Sequence, residues 1–302
     1  MEVVRAAELA GAPAPAAEAA PSRAADFAEL TKPRITSLVL VTAAVGYSIG
    51  SPGDFRAIHF LLFMVATALL CAGASALNQC YERDTDALMA RTSRRPLPAG
   101  RLCPEEALAF GLALSGAGLA LLVLVNPLTL LLGAVSLASY VLVYTPMKRV
   151  SSLSTVVGAV PGALPPLMGW AAARGSLGPA GWGLFAILFL WQLPHFLAIG
   201  WLYRDDYARG GFPMLAVTDR DGSSTGRQAV LYATALLPVT LAAGLLAAAG
   251  KGYLWGALVL GVAFLGCAVL FAWERSAGAA RRLFFASVLY LPLVLGLMVF
   301  DR

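Results

Sequence analysis

Asn78–Arg101, NQCYERDTDALMARTSRRPLPAGR, decides how the rest of the chain is read. It follows directly on an apolar run, Phe60–Leu77, long enough with its polar end to cross a bilayer. Within it stand three acids, Glu82, Asp84 and Asp86, and five arginines, Arg83, Arg91, Arg94, Arg95 and Arg101. Asn78, Glu82 and Asp86 are spaced i, i+4, i+8, which on a helix places them on one face within about 80° of arc. A row of oxygen ligands at the tip of a membrane helix, beside arginines, is what a magnesium diphosphate needs. A solvated loop that merely obeys membrane topology has no use for that acid spacing. Asp84 and Arg83 point away from the row and read as structural.

The composition sets the frame. Of 302 residues, 59% are hydrophobic and 13% charged, with a mean hydropathy of +0.75, so the chain reads as an integral membrane protein. Repeated long apolar segments, without alternating ten-residue strands, point to helices and exclude a barrel. Nine spans are expected, at about 34–52, 58–80, 107–125, 128–146, 152–173, 180–201, 229–249, 252–272 and 283–300. With the N-terminus in the cytoplasm, 18 of the 22 basic residues fall in inside segments and only Arg56, Arg174, Lys251 and Arg302 outside. The net charge of +5 is therefore a topology signal and calls for no nucleic acid. Residues 1–31 read as a flexible cytoplasmic tail without the pattern of a signal peptide, and 32–302 as a single transmembrane domain. The four cysteines, Cys71, Cys80, Cys103 and Cys267, have no metal-site spacing and read as small apolar fillers.

The two long polar loops follow spans two and six, on one side of the membrane. The second runs WQLPHFLAIGWLYRDDYARGGFPML, Trp191–Leu215. It sets His195 inside a span and Arg204, Asp205, Asp206, Tyr207 and Arg209 at its tip. His195 reads either as a functional group or as a hydrogen-bonding contact between helices; Asp205 reads either as a site residue or as a partner of Arg209. A third cluster, Tyr144–Arg149 (YTPMKR), brings Lys148 and Arg149, which read as topology charges or as contacts to a leaving diphosphate. Arg94 and Arg95 carry the same two readings, with one of them expected to act at the site. Span five, with Pro161, Pro165, Pro166 and Gly158, Gly162, Gly169, is expected to be kinked and closely packed. His59, at the far end of span two, is set aside. Two acidic helix tips with cations above an apolar interior suit a substrate with a diphosphate head and a hydrocarbon tail, a prenyl diphosphate.

These residues resemble a known family. Asn78–Asp86 as N-x-x-x-E-x-x-x-D, followed by Arg94-Arg95-Pro96-Leu97-Pro98, is similar to the first aspartate-rich motif of the UbiA-type intramembrane prenyltransferases. YTPMKR, GAVPGALPPLMGW (Gly158–Trp170) and WQLPHF running on to RDDYARGGFPML resemble the haem-farnesylating branch of that family, and the likeness covers roughly residues 30–300. It departs at Glu82, where the family usually has aspartate, and at Leu202, where the second motif normally has one four residues before Asp206. The resemblance implies an all-α, polytopic bundle that transfers farnesyl from farnesyl diphosphate to a vinyl group of haem b, with water added, giving haem O. Mg²⁺ would be held by Asn78, Glu82, Asp86 and Asp206. The diphosphate would be gripped by Arg94, Arg95, Lys148, Arg149, Arg204 and Tyr207, and His195 would ligate the haem iron or orient the water. Haem b enters as substrate, not as a resident cofactor. The resemblance further implies the bacterial inner membrane, an active site facing the cytoplasm, and haem A synthase or oxidase assembly factors as candidate protein partners. A prenyltransferase for a quinone precursor is the alternative within the class. A transporter is the alternative outside it, and is disfavoured because the acids gather at one face instead of spreading through the spans.

Overall fold

The computed structural model describes residues 22–51 and 53–301. Among them there are helices and no strands, because backbone polar groups in a bilayer must be satisfied within each segment. A short helix α1 (Arg23–Leu30) precedes α2 (Pro33–Gly50), α3 (Ala57–Asp86), α4 (Pro104–Val125), α5 (Pro127–Met147), α6 (Ser154–Arg174) and α7 (Pro179–Leu202). Two short helices, α8 (Arg204–Arg209) and α9 (Leu215–Thr218), lead to α10 (Ser223–Leu246), α11 (Lys251–Glu274) and α12 (Ala277–Phe300). Nine of these, α2–α7 and α10–α12, are long and apolar enough to cross a membrane. The nine expected spans are all present, and the protein is an integral, multi-pass membrane protein. Its outer surface agrees: Trp255, Val259, Trp273, Leu289 and Phe300 are largely exposed, which water would penalise and lipid does not.

The helix ends follow local chemistry. Proline occupies the first turn of α2, α4, α5 and α7, where its missing N–H costs nothing. Asn126 ends α4 and caps α5, accepting from Thr129 N at 2.8 Å. α3 keeps the row helical, as its spacing predicts, and extends the expected span from about residue 80 to Asp86. The N-terminal reading also changes. Residues 1–21 lie outside the described residues, but 23–31 are no tail: α1 is helical, with Leu30 and Asp26 buried. Leu30 joins Ala76, Leu97, Leu102 and Ala107 in a small apolar cluster, which anchors it.

α6, with α7 the most enclosed of the spans, packs along α2 at very short range, as its glycines predict. A Cβ at Gly46 would lie 1.9 Å from the Pro166 carbonyl oxygen, and one at Gly169 would lie 2.0 Å from that of Ala43. Without water to expel, membrane helices associate through such close backbone contact. Gly46→Ala must therefore push α2 and α6 apart, at about 1–3 kcal/mol for an overpacked contact. The detergent-solubilised variant should melt several degrees below the unaltered protein. Gly266→Ala, which would meet nothing within 4 Å, should not; equal melting of all three would show that the two helices do not touch there.

Candidate active site

The row expected on α3 exists. Asn78, Glu82 and Asp86 are 0%, 4% and 1% exposed, and each meets a cation from a different part of the chain. Lys32 donates from Nζ to Asn78 Oδ1 at 2.9 Å. Lys148 Nζ stands 2.8 Å from Glu82 Oε1, an ion pair off the line of a hydrogen bond. Arg95 donates to Asp86 Oδ2 at 2.6 Å. Buried charges persist only when paired, so the acids and cations hold one another in place.

Backbone irregularities aim the partners. α5 passes through a π-helical stretch, Ser139–Tyr144, the kind of local insertion that often marks functional sites. Immediately after it, Thr145 accepts from Asn78 Nδ2 at 3.1 Å and donates to Tyr140 O at 2.8 Å. Lys148 follows, its ammonium 4.7 Å from the Tyr144 ring centroid. Lys32 sits between α1 and α2 at φ +48°, an αL conformation uncommon for a residue with a side chain. α1 is held by Arg101, which donates to Asp26, Glu29 and the Arg94 carbonyl, and by Gln79, which donates to Leu30 O at 2.9 Å.

The electrostatics favour an anion. With all three cations protonated they outnumber the two carboxylates, and Lys32 is the one whose charge varies near neutral pH. Burial, together with the charges of Arg95 and Lys148, lowers the Lys32 ammonium to about 7. Burial acts against Lys148 too, but Tyr144 and Glu82 hold its ammonium above the ordinary lysine range. Asp86 Oδ1 is buried with no hydrogen-bond partner, a costly arrangement that a further ligand would relieve. The row offers hard oxygen donors of the sort magnesium takes, and magnesium is often held by one or two carboxylates completed by substrate phosphates. Among the described residues no three His, Cys, Asp or Glu side chains form a metal cage by themselves, so the fit requires that completion.

The remaining expected residues fall in different places. Asp206, expected as a fourth oxygen ligand, accepts from the backbone N–H groups of Ala90 and Arg91 at 2.9 and 3.2 Å, and from Arg209. Burial raises its carboxyl, but these donors hold it below the usual aspartate range. It brings the second polar tip against the segment that follows Asp86, so both tips lie on one side of the molecule. Oδ1 takes two of these donors and Oδ2 one. Tyr207 accepts from Arg91 at 3.2 Å and belongs to the same crossing. Arg94 is exposed, Arg149 donates to Tyr81 O and lies over its ring, and Arg204 lies over Trp201. These three, expected at the diphosphate, are not among the groups that pair with the row. Asp205 pairs loosely with Arg204 instead of Arg209. Arg83 and Asp84 face each other in the open, as read. His59 meets Tyr47 and the Val125 carbonyl at the far end. Sequence reading missed Lys32 and Thr145. Lys32 falls among the 18 inside charges, and its position directly before Pro33, which starts a span, is the available signal.

The class follows from the fold and the site. Residues 39–289 match the UbiA prenyltransferase family, and the chain belongs to that family. Its relatives include the protoheme IX farnesyltransferases of Solibacter usitatus, 51% identical over 92% of this chain and 98% of that one, and of Myxococcus xanthus, 45% identical over 95% and 97%. Among solved structures, a digeranylgeranylglyceryl phosphate synthase shares the fold at a TM-score of 0.78 and 17% identity, covering 91% of this chain and 97% of that one. A UbiA homologue from Archaeoglobus fulgidus bound to GPP and Mg²⁺ does so at 0.65 and 16%, covering 90% and 99%.

The clamp makes its own prediction. Asp206→Ala frees two backbone N–H groups and should loosen residues 87–101 by about 1 kcal/mol or more. Trypsin should then cut the purified protein after Arg91 or Arg94 at least roughly fivefold faster. Asp205→Ala should be cut at the unaltered rate. No acceleration in Asp206→Ala would mean that the loop is held by something else.

Proposed function

We propose that this prenyltransferase moves farnesyl from farnesyl diphosphate to a vinyl group of haem b, with addition of water, releasing diphosphate and haem O. The observation that carries the donor side is the buried row of Asn78, Glu82 and Asp86 facing three cations, with one carboxylate oxygen left without a partner. The acceptor rests on the relatives that bear the protoheme IX farnesyltransferase name. The 18 to 4 division of basic residues supports a mouth that faces the cytoplasm of a bacterial inner membrane. Residues 32–302 are taken as one catalytic unit.

The chemistry assigns work to each group. Asn78, Glu82 and Asp86 present oxygens to a magnesium diphosphate; magnesium bound there supplies neutralisation of charge on the leaving group. Lys32, Lys148 and Arg95 turn from the acids towards the phosphate oxygens, Arg95 as a planar fork and the lysines as point charges. Held beside the row by these contacts, they need only a short turn to meet charge as it develops on the leaving group. Breaking the allylic carbon–oxygen bond leaves a farnesyl cation. The terminal vinyl carbon bonds to it, and the carbon beside the porphyrin ring is captured by water, which gives up a proton. The clamp of Asp206 and α1 keeps the polar segment closed over the site during these steps.

The test is direct. Membranes containing the protein, given farnesyl diphosphate, haem b and Mg²⁺, should form hydroxyethylfarnesyl haem, and chelation of the metal should stop it. An absence of that product under all conditions overturns the haem reading. A prenylated quinone precursor in its place would establish the alternative acceptor. Asp86→Ala should insert normally and lose at least about a hundredfold in turnover, the scale of removing one preorganised electrostatic contact. Near-normal turnover in that variant would remove the row from the mechanism.

A further inference from the structure

We infer that His195 is the ligand that holds the iron of the haem acceptor, through Nε2, and that Ser287 is the positioning residue that prepares it; this rests on the haem-acceptor reading above. His195 stands seven residues before the end of α7 at Leu202, about 10 Å in from the polar mouth at 1.5 Å per residue. Its Nδ1 is 2.7 Å from Ser287 Oγ on α12. Ser287 Oγ in turn donates to the Phe284 carbonyl at 2.5 Å.

That geometry decides the tautomer. A hydroxyl has one hydrogen, and a carbonyl can only accept. The Ser287 hydrogen is committed to Phe284, so Ser287 can offer His195 only a lone pair. Nδ1 must carry the hydrogen, and in the neutral ring Nε2 then carries the lone pair. The ring is also held flat. Trp191 stacks on it at 5.1 Å and 22°, and Phe284 at 5.1 Å and 27°. Trp191 is itself fixed by donating from Nε1 to the Ser287 carbonyl at 2.8 Å. Serine 287 therefore sets both the indole and the imidazole. Among the described residues Nε2 makes no hydrogen bond, and it is not one of the sealed polar atoms that lack partners. It is open to approach.

The bond through Nδ1 suffices to join α7 to α12 and gives Nε2 no part in that contact. A histidine that ligates a metal typically donates its other ring N–H to a fixed acceptor, which sets both tautomer and orientation. The acceptor substrate brings such a metal, at the centre of a flat ring whose vinyl groups lie on the rim.

The test uses the full-length protein in lipid nanodiscs titrated with ferric haem b, followed by the Soret band and electron paramagnetic resonance. The unaltered protein should show histidine-ligated iron. His195→Ala should lose that signature and bind haem about tenfold more weakly or worse, and added imidazole should restore the ligated spectrum. His195→Gln provides the same comparison if the alanine variant does not fold. Ser287→Ala should keep the histidine signature with affinity reduced about tenfold, while Ser287→Thr, which retains a hydroxyl, should stay near the unaltered value. Haem bound with one spectrum and one affinity in the unaltered protein and both His195 variants overturns the ligand assignment and leaves the acceptor reading standing. An unaltered protein that takes up no haem overturns both. Ser287→Ala indistinguishable from the unaltered protein overturns the role given to Ser287.

Discussion

The site depends on one constraint: charges buried at the end of a membrane bundle must find partners, and here each partner comes from a different stretch of chain. Asn78, Glu82 and Asp86 share one helix face, while Lys32 arrives from the start of α2, Lys148 from the end of α5 and Arg95 from the loop beyond α3. An isolated charge in such a place is costly, and loss of one partner from a buried pair removes about 3–5 kcal/mol. The three contacts therefore draw three segments to one point. The same contacts assemble the groups that a diphosphate would engage, so structural closure and readiness for an anion are one arrangement.

Around this point the fold separates two kinds of cohesion. Within the bilayer, helices hold together by close approach, as at Gly46 and Gly169, and by enclosed hydrogen bonds, as where Thr240, Tyr253 and Tyr290 link α10, α11 and α12. At the polar end, cohesion passes to ions and caps. Arg101 binds two acids of α1, and Asp206 binds two amides of the loop after α3. Asp206, expected at the metal, also holds the backbone of the loop after α3.

The bundle was largely legible in the sequence because its signals are local. Nine apolar runs, prolines in first turns and the inside excess of arginine each depend on residues near one another, and the bilayer imposes a length on every span. The Asn78–Glu82–Asp86 row was legible for the same reason, since a period of four on a helix needs no partner to be seen. α1 was misread because a short helix with Ala, Glu and Asp has no span-like signal. It is ordered by Arg101, more than seventy residues away.

By itself, then, the sequence determined the class of solvent, the number of spans and which side chains share the face of α3, all consequences of spacing along one chain segment. Only the tertiary structure decided that Arg95 and not Arg94 meets Asp86, that Lys32 reaches Asn78, that Asp206 clamps a loop, and which nitrogen of His195 carries its hydrogen. Neighbouring arginines are equivalent until a loop turns one inward, and an imidazole has no preferred tautomer until another helix brings a hydroxyl whose own hydrogen is already committed.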